Sequence, residues 1–236
     1  LRDKKKKIFF LDNIDPEQVY DILKSIQLKE TLFYFVSKSG GTAETLAVFS
    51  LVLDQLKLEG VHEEEWKESI VCATDPESGA LRKIIKRHKL DSLTIPPNIG
   101  GRFSAFTPVS YLPALFVGID IDLLCLGASK VKEALLNEEL RDNDLFRSAL
   151  YLKNLKDLKK INQTVFMPYS SKLKLLSSWF VQLWAESLGK KNSSSQKNVH
   201  EGLTPIPAYG ATDQHSQLQL FMEGPRDKCI LFVEVE

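Results

Sequence analysis

The chain has 236 residues, and its 31 lysines and arginines balance 31 aspartates and glutamates to a formal net charge of zero. At about 150 residues per domain this is one large domain or two smaller ones, and the charge balance excludes a polycationic surface for nucleic acid or anionic lipid, so any anion must be held at a local site. Three scattered cysteines (Cys72, Cys125 and Cys229), without a CxxC or a histidine at ligand spacing, exclude a disulfide scaffold and a simple zinc module; they read as core thiols of a reducing cytosol.

No apolar run reaches the ~18 residues of a membrane span. The basic run Lys4–Lys7 has too short an apolar stretch behind it for a secretory signal. The expectation is a soluble, cytoplasmic protein. Opening on Leu1 and ending just after the apolar run KCILFVEV, the sequence also reads as a piece of a longer protein.

In chain order, Ile8–Leu11 reads as a strand and DPEQVYDILKSI as a helix with an acidic first turn. TLFYFV (Thr31–Val36) is a continuous apolar run of the kind buried on both faces of a parallel sheet. A helix over Thr42–Leu58, a strand over Ser69–Ala73 and a basic helix over Glu77–His88 follow, then a short strand over Leu93–Ile95 that enters the Pro- and Gly-rich loop PPNIGGRFS. Residues 106–137 are helical in pattern with a break near Gly118. A second round begins near 141: a helix to Lys160, the strand TVFMPY, a helix over Lys172–Leu188, a polar Ser/Lys/Asn loop, a helix over Asp213–Met222 and a final strand over Cys229–Val235. The alternation predicts an α/β fold with a mainly parallel sheet in two successive blocks, residues 1–130 and 131–236.

Four segments carry chemistry. The turn Ser37-Lys38-Ser39-Gly40-Gly41-Thr42 lies between a parallel strand and a helix, where free N–H groups and the positive end of the helix dipole favour an anion. Hydroxyls at Ser37, Ser39 and Thr42 add donors; as neither GxxxxGK[ST] nor GxGxxG is present, a phosphate cradle is favoured over a nucleotide site. The plain alternative is an ordinary turn with Thr42 as N-cap. In Gly100-Gly101-Arg102-Phe103-Ser104, a guanidinium beside two glycines can approach a ligand and stabilise oxyanion charge, the alternative being a solvated loop arginine.

In KLKLLSSWFVQLWAESLGKK, Gln182 and Glu186 share a helix face among aromatic residues. A carboxylate near the negative end of a helix in such surroundings suits proton transfer; the alternative is a surface glutamate paired with Lys190. In Gly210-Ala211-Thr212-Asp213-Gln214-His215, the histidine falls in the first turn of a helix, where a neutral imidazole able to relay a proton is expected. His62 and His88 read as surface residues, and His200 stays undecided. A phosphate cradle, an oxyanion-stabilising arginine, a carboxylate base and a relaying histidine are the parts needed to abstract a proton beside the carbonyl of a phosphorylated sugar.

VSKSGGTAET, GGRFS, QLWAESLGK and GATDQHSQLQLFMEGP, in this order, resemble the phosphate-binding, arginine, catalytic-glutamate and histidine segments of the phosphoglucose isomerase (glucose-6-phosphate isomerase) family, and the resemblance extends from about Ile8 to Val235. It implies a pair of sugar-isomerase (SIS), flavodoxin-like three-layer α/β sandwiches with the site between them. It further implies interconversion of glucose 6-phosphate and fructose 6-phosphate without metal or organic cofactor. Ser37, Ser39 and Thr42, with the Lys38 backbone, would hold the phosphate; Gly101 and Gln182 would contact substrate and Arg102 would stabilise a cis-enediolate. Glu186 would move the proton between C2 and C1. His215 would assist ring opening from the partner subunit of a homodimer.

The family's amino-terminal Gly-Gly-Ser segment and its carboxy-terminal lysine motif are not found and would lie outside this chain. The alternatives are an isomerase also acting on mannose 6-phosphate, an isomerase fused to a second enzyme, and a sugar-phosphate-binding SIS module without catalysis.

Overall fold

The computed structural model describes residues 6–137 and 139–235; Lys4 and Lys5 of the basic run lie outside the described residues. The chain divides into two units, one running to Gly127 and the other starting at Ala128.

The first unit begins with residues that form no strand: Phe9 and Phe10 are exposed, and Ile8–Leu11, expected as a strand, finds no ladder partner. Helix α1 (Pro16–Ser25) starts at Asp15, whose carboxylate accepts the Glu17 and Gln18 N–H groups, with Pro16 at the first helical position. Strand β1 (Phe33–Ser37) leads to α2 (Ala43–Leu58). The short α3 (Trp66–Ser69) precedes β2 (Ile70–Thr74), and α4 (Ala80–His88) precedes β3 (Asp91–Thr94). The strands are all parallel in the order β1-β2-β3, with Phe35 opposite Cys72 and Ser37 opposite Thr74.

Alternation along β1 sends Phe33 and Phe35 to the face covered by α2, where Phe35 meets Phe49 edge-on at 4.7 Å between ring centres. Val52 and Leu56 from α2, Ile70 and Cys72 from β2 and Leu81 from α4 complete this core without solvent exposure. Burying each large aliphatic side chain contributes about 1.5–3 kcal/mol. Burial also pushes the Cys72 thiol up to about 12. Tyr34 points to the opposite face, where its hydroxyl donates to the Pro108 carbonyl at 2.7 Å, at the start of α5 (Pro108–Phe116). The helical stretch breaks after Phe116, with Gly118 at φ 76°, and resumes as α6 (Ile121–Asn137).

The second unit has α7 (Asp144–Lys159), capped by the buried Asn143; then β4 (Gln163–Pro168), α8 (Lys174–Leu188), β5 (Lys190–Asn192), β6 (Asn198–Glu201), β7 (Thr204–Pro207), α9 (Gln214–Glu223) and β8 (Lys228–Val233). Its main sheet is parallel in the order β7-β4-β8. Three strands differ from expectation. The polar loop after α8 folds into the antiparallel pair β5–β6, and Thr-Pro-Ile-Pro forms β7, where edge position tolerates the missing proline N–H groups. Phe166 of β4 stacks on Phe180 of α8 at 4.3 Å, whereas Val165 and Met167 pack with Phe221 of α9. Because neighbouring residues of a strand face opposite ways, α8 and α9 cover opposite faces of this sheet.

Candidate active site

The first unit gathers two of the expected segments at the carboxyl edge of its sheet. Ser37 ends β1 and is buried; its Oγ lies 2.8 Å from Thr42 Oγ1. Thr42 thus occupies the N-cap position of α2 without a side-chain capping bond, its hydroxyl being engaged across the loop. Ser39 Oγ accepts the Gly41 N–H at 3.3 Å, and Gly40 N–H returns to the Ser37 carbonyl at 3.0 Å. The helical ladder begins with Leu46 N–H donating to Thr42 O, so the N–H groups of residues 43–45 precede it and point out of the helix end. Thr42 and Ser39 are exposed. Chemically, N–H groups that precede a helical ladder beside exposed hydroxyls can serve as donors to an anion.

The loop is braced by the turn after β2. Asp75 N–H donates to Lys38 O at 3.1 Å and Leu81 N–H to Gly40 O at 2.8 Å, and Gly79 packs so closely that a Cβ there would stand 2.3 Å from Ser39 O. Asp75 accepts the N–H groups of Glu77 and Ser78, each at 2.9 Å, and these bonds hold its carboxyl below the usual range. Arg82, largely buried, donates to Asp75 O and Ser92 Oγ, both at 2.9 Å. None of Asp75, Gly79 and Arg82 was among the expected site residues; residues 77–79 were expected inside a helix. The Asp-Pro-Glu-Ser-Gly string is the signal that marks this turn.

Arg102 lies in a single 3-10 helix (Gly101–Phe106) after β3, half-buried, with its guanidinium 4.6 Å from the Phe103 ring centre. A Cβ at Gly101 would meet nothing within 4 Å, which leaves the backbone there open to approach. Lys38 Nζ donates to Pro97 O at 3.1 Å and joins the Ser37–Thr42 loop to this arginine loop.

In the second unit Gln182 and Glu186 are exposed on α8, and the Gln182 amide donates to Glu186 Oε1 at 3.0 Å. Lys190 donates to the Glu186 carbonyl at 3.0 Å, a helix-end contact. The opposite side of α8 is anchored by Phe180, stacked on both Phe166 and Trp184. His215, exposed, occupies the first turn of α9. That turn is held by Asp213, which accepts Tyr209 N–H at 2.8 Å and Ser216 Oγ–H at 2.9 Å.

The topology separates Glu186 from His215 within one chain. Helix α8 leaves the carboxyl end of β4 and runs back to the amino edge of the sheet, taking Glu186 there, while α9 starts at the carboxyl edge after β7. The two residues belong to opposite edges as well as opposite faces of a sheet whose strands span on the order of 20 Å.

His88, expected at the surface, is instead largely buried against Trp66 and contacts Glu63; the aromatic platform forms only when α3 and α4 meet. His200 lies in β6. Among the described residues, no group of three His, Cys, Asp or Glu is arranged to hold a metal ion, and no helix is long and apolar enough to cross a membrane.

The family model for phosphoglucose isomerase matches residues 1–235. The chain is 42% identical over 230 residues to a glucose-6-phosphate isomerase of Carboxydothermus hydrogenoformans, covering 98% of this chain and 49% of the relative. It is 42% identical over 228 residues to a glucose-6-phosphate isomerase of Thermus thermophilus, covering 96% and 52%. Among solved structures, a hypothetical protein of Thermus thermophilus matches with a TM-score of 0.86 at 42% identity, covering 95% of this chain and 52% of that one. A glucose-6-phosphate isomerase of Chlamydia trachomatis matches with a TM-score of 0.87 at 29% identity, covering 98% and 44%. The chain therefore spans about half the length of the curated relatives it matches. Motif order, parallel α/β architecture and identity over nearly all of its length agree: the chain belongs to the phosphoglucose isomerase family.

Proposed function

We propose that the protein interconverts glucose 6-phosphate and fructose 6-phosphate by proton transfer through a cis-enediolate. Residues 1–130 serve as one SIS-type domain and residues 131–236 as part of a second. The hydroxyls of Ser37, Ser39 and Thr42, with the loop N–H groups, hold the phosphate. Glu186 takes the C2 proton of the open-chain aldose and returns it to C1 while a proton passes from O2 to O1, and Arg102 balances the charge that develops on the enediolate oxygens. Gln182 orients the carboxylate, and Gly101 leaves room for the sugar. His215 assists ring opening.

The observation that carries this reading is the Gln182–Glu186 hydrogen bond. A module that only binds sugar phosphates needs the loop at Ser37–Thr42 but has no use for an oriented carboxylate. The separation of Glu186 and His215 within one chain further supports a homodimer in which each site takes its histidine from the partner, acting on a small soluble sugar phosphate in the cytoplasm.

The test is Glu186→Gln in the full-length protein. Exchange of the C2 proton with solvent and isomerisation should both fall by about 10²–10⁴-fold, while calorimetry still detects sugar-phosphate binding. Full isomerisation by this variant would overturn the assignment. Binding without turnover by the unsubstituted protein would favour the non-catalytic module.

A further inference from the structure

Lys38 is tied to every loop at the carboxyl edge of the first sheet. Its carbonyl accepts the Asp75 N–H from the turn after β2, and its ammonium donates at 3.1 Å to Pro97 O in the loop after β3. Its charge also adds, behind the main-chain bonds from Glu77 and Ser78, to the field that favours the ionised Asp75.

The segment that the ammonium grips is stiff. Pro96 and Pro97 have φ set by their rings. Ile99 N–H then returns to Pro96 O and Phe103 N–H to Gly100 O, both at 3.0 Å. Ser104 Oγ–H closes on Gly101 O, and Thr107 Oγ1–H on Ser104 O, both at 2.7 Å. Short-range bonds thus recur from Pro96 to Thr107, and Arg102 sits in their middle. A hold on Pro97 is passed to Arg102 through this run of hydrogen-bonded turns, and the guanidinium rests 4.6 Å from the ring centre of Phe103 in the same run.

We propose that the Lys38 side chain is a positioning group: it sets the distance between the phosphate loop and Arg102, and it is not a ligand of the phosphate. The inference rests on the reading of Arg102 as the cation of the enediolate step. It assigns the side chain a task distinct from the backbone of the same residue, which belongs to the anion-binding loop. A lysine fits because its long stem spans two loops while its compact ammonium satisfies a single carbonyl.

The test compares Lys38→Met and Lys38→Arg in the full-length protein by steady-state kinetics, by calorimetry with inorganic phosphate, and by the Arg102 Nε–H resonance. With a misplacement on the order of 1 Å able to cost ~100-fold in rate, Lys38→Met should lower kcat at least about tenfold. The phosphate Kd should stay within about twofold, since the loop donors remain. The Arg102 resonance should shift in Lys38→Met, and Lys38→Arg, which can still reach Pro97, should restore both the resonance and most of kcat. A weakened phosphate Kd with an unmoved Arg102 resonance would make Lys38 a phosphate ligand and overturn the proposal. An unmoved resonance with unchanged kinetics would overturn it too. If the unsubstituted protein shows no turnover, the functional reading fails, and the resonance and the phosphate Kd still decide the role of Lys38.

Discussion

Replacing Gly79 by alanine tests whether the Ser37–Thr42 loop is held in shape by the turn beneath it. Gly79 has φ 95° and ψ 162°, a backbone region nearly closed to side-chain-bearing residues; occupying it costs about 1–3 kcal/mol. A Cβ would stand 2.3 Å from Ser39 O and 2.9 Å from Gly40 Cα. Both obstacles are main chain, so no rotamer relieves the clash and the loop at Ser39–Gly40 must shift. Overpacking of this kind adds about 1–3 kcal/mol. Together the loss is about 2–6 kcal/mol, against the ~5–15 kcal/mol that holds a typical domain together.

Gly60→Ala is the matched control, because Gly60 has φ 78° but its Cβ would meet nothing within 4 Å. It should lose only the backbone share, about 1–2 kcal/mol. Urea unfolding of the two variants compares a positive-φ glycine with and without a main-chain clash, and calorimetry with inorganic phosphate shows whether the displaced loop binds. The expected result is a Gly79→Ala loss exceeding that of Gly60→Ala by at least about 1 kcal/mol, together with weaker phosphate binding. Equal losses with unchanged phosphate affinity would show that the turn at Gly79 does not shape the Ser37–Thr42 loop.

The remaining predictions concern charge and assembly. Asp75→Ala removes the acceptor of the Glu77 and Ser78 N–H groups. Because the Asp75 carboxyl is held below its usual range, its stabilising effect is complete at pH values above the unfolded carboxylate pKa and disappears as the pH falls through the lower folded value. Unfolding curves of the parent and Asp75→Ala should therefore converge in acid, and a gap that widens there would contradict the assignment. If Glu186 and His215 of one site come from two copies, mixing inactive Glu186→Gln with inactive His215→Ala protein should restore activity, since one site of each mixed dimer is then intact. No recovery after subunit exchange is demonstrated would count against the shared site.

The local structure around much of the candidate site was legible from local pattern. Ser37–Thr42 is a strand-to-helix turn in any right-handed parallel α/β unit, and the run before it is too apolar to be anything but a buried strand. Gln182 and Glu186 share a face by helical spacing alone. Other features were hidden because they depend on partners distant in the chain. Thr204–Pro207 contains two prolines and reads as loop, yet it is the edge strand β7 because β4 offers it a ladder. Lys190–Glu201 lacks apolar alternation and still pairs as a hairpin. Ile8–Leu11 has a strand's composition, but its described residues meet no neighbouring strand. Of the buttress, Gly79 and Arg82 fall in what reads as a helix over Glu77–His88, and Asp75 lies just before it.

Sequence alone identifies which groups are available and which sit on a common turn or face: a hydroxyl-rich strand-to-helix turn, a guanidinium beside two glycines, an amide beside a carboxylate, and a histidine opening a helix. Such facts follow from the periods of helix and strand, which are local. Tertiary structure alone makes Lys38 join the Ser37–Thr42 loop to the arginine loop, engages the Thr42 hydroxyl with Ser37 instead of in capping, and puts Glu186 and His215 at opposite edges of one sheet. Those outcomes depend on strand order and crossover direction, which bring together or hold apart residues far from one another along the chain.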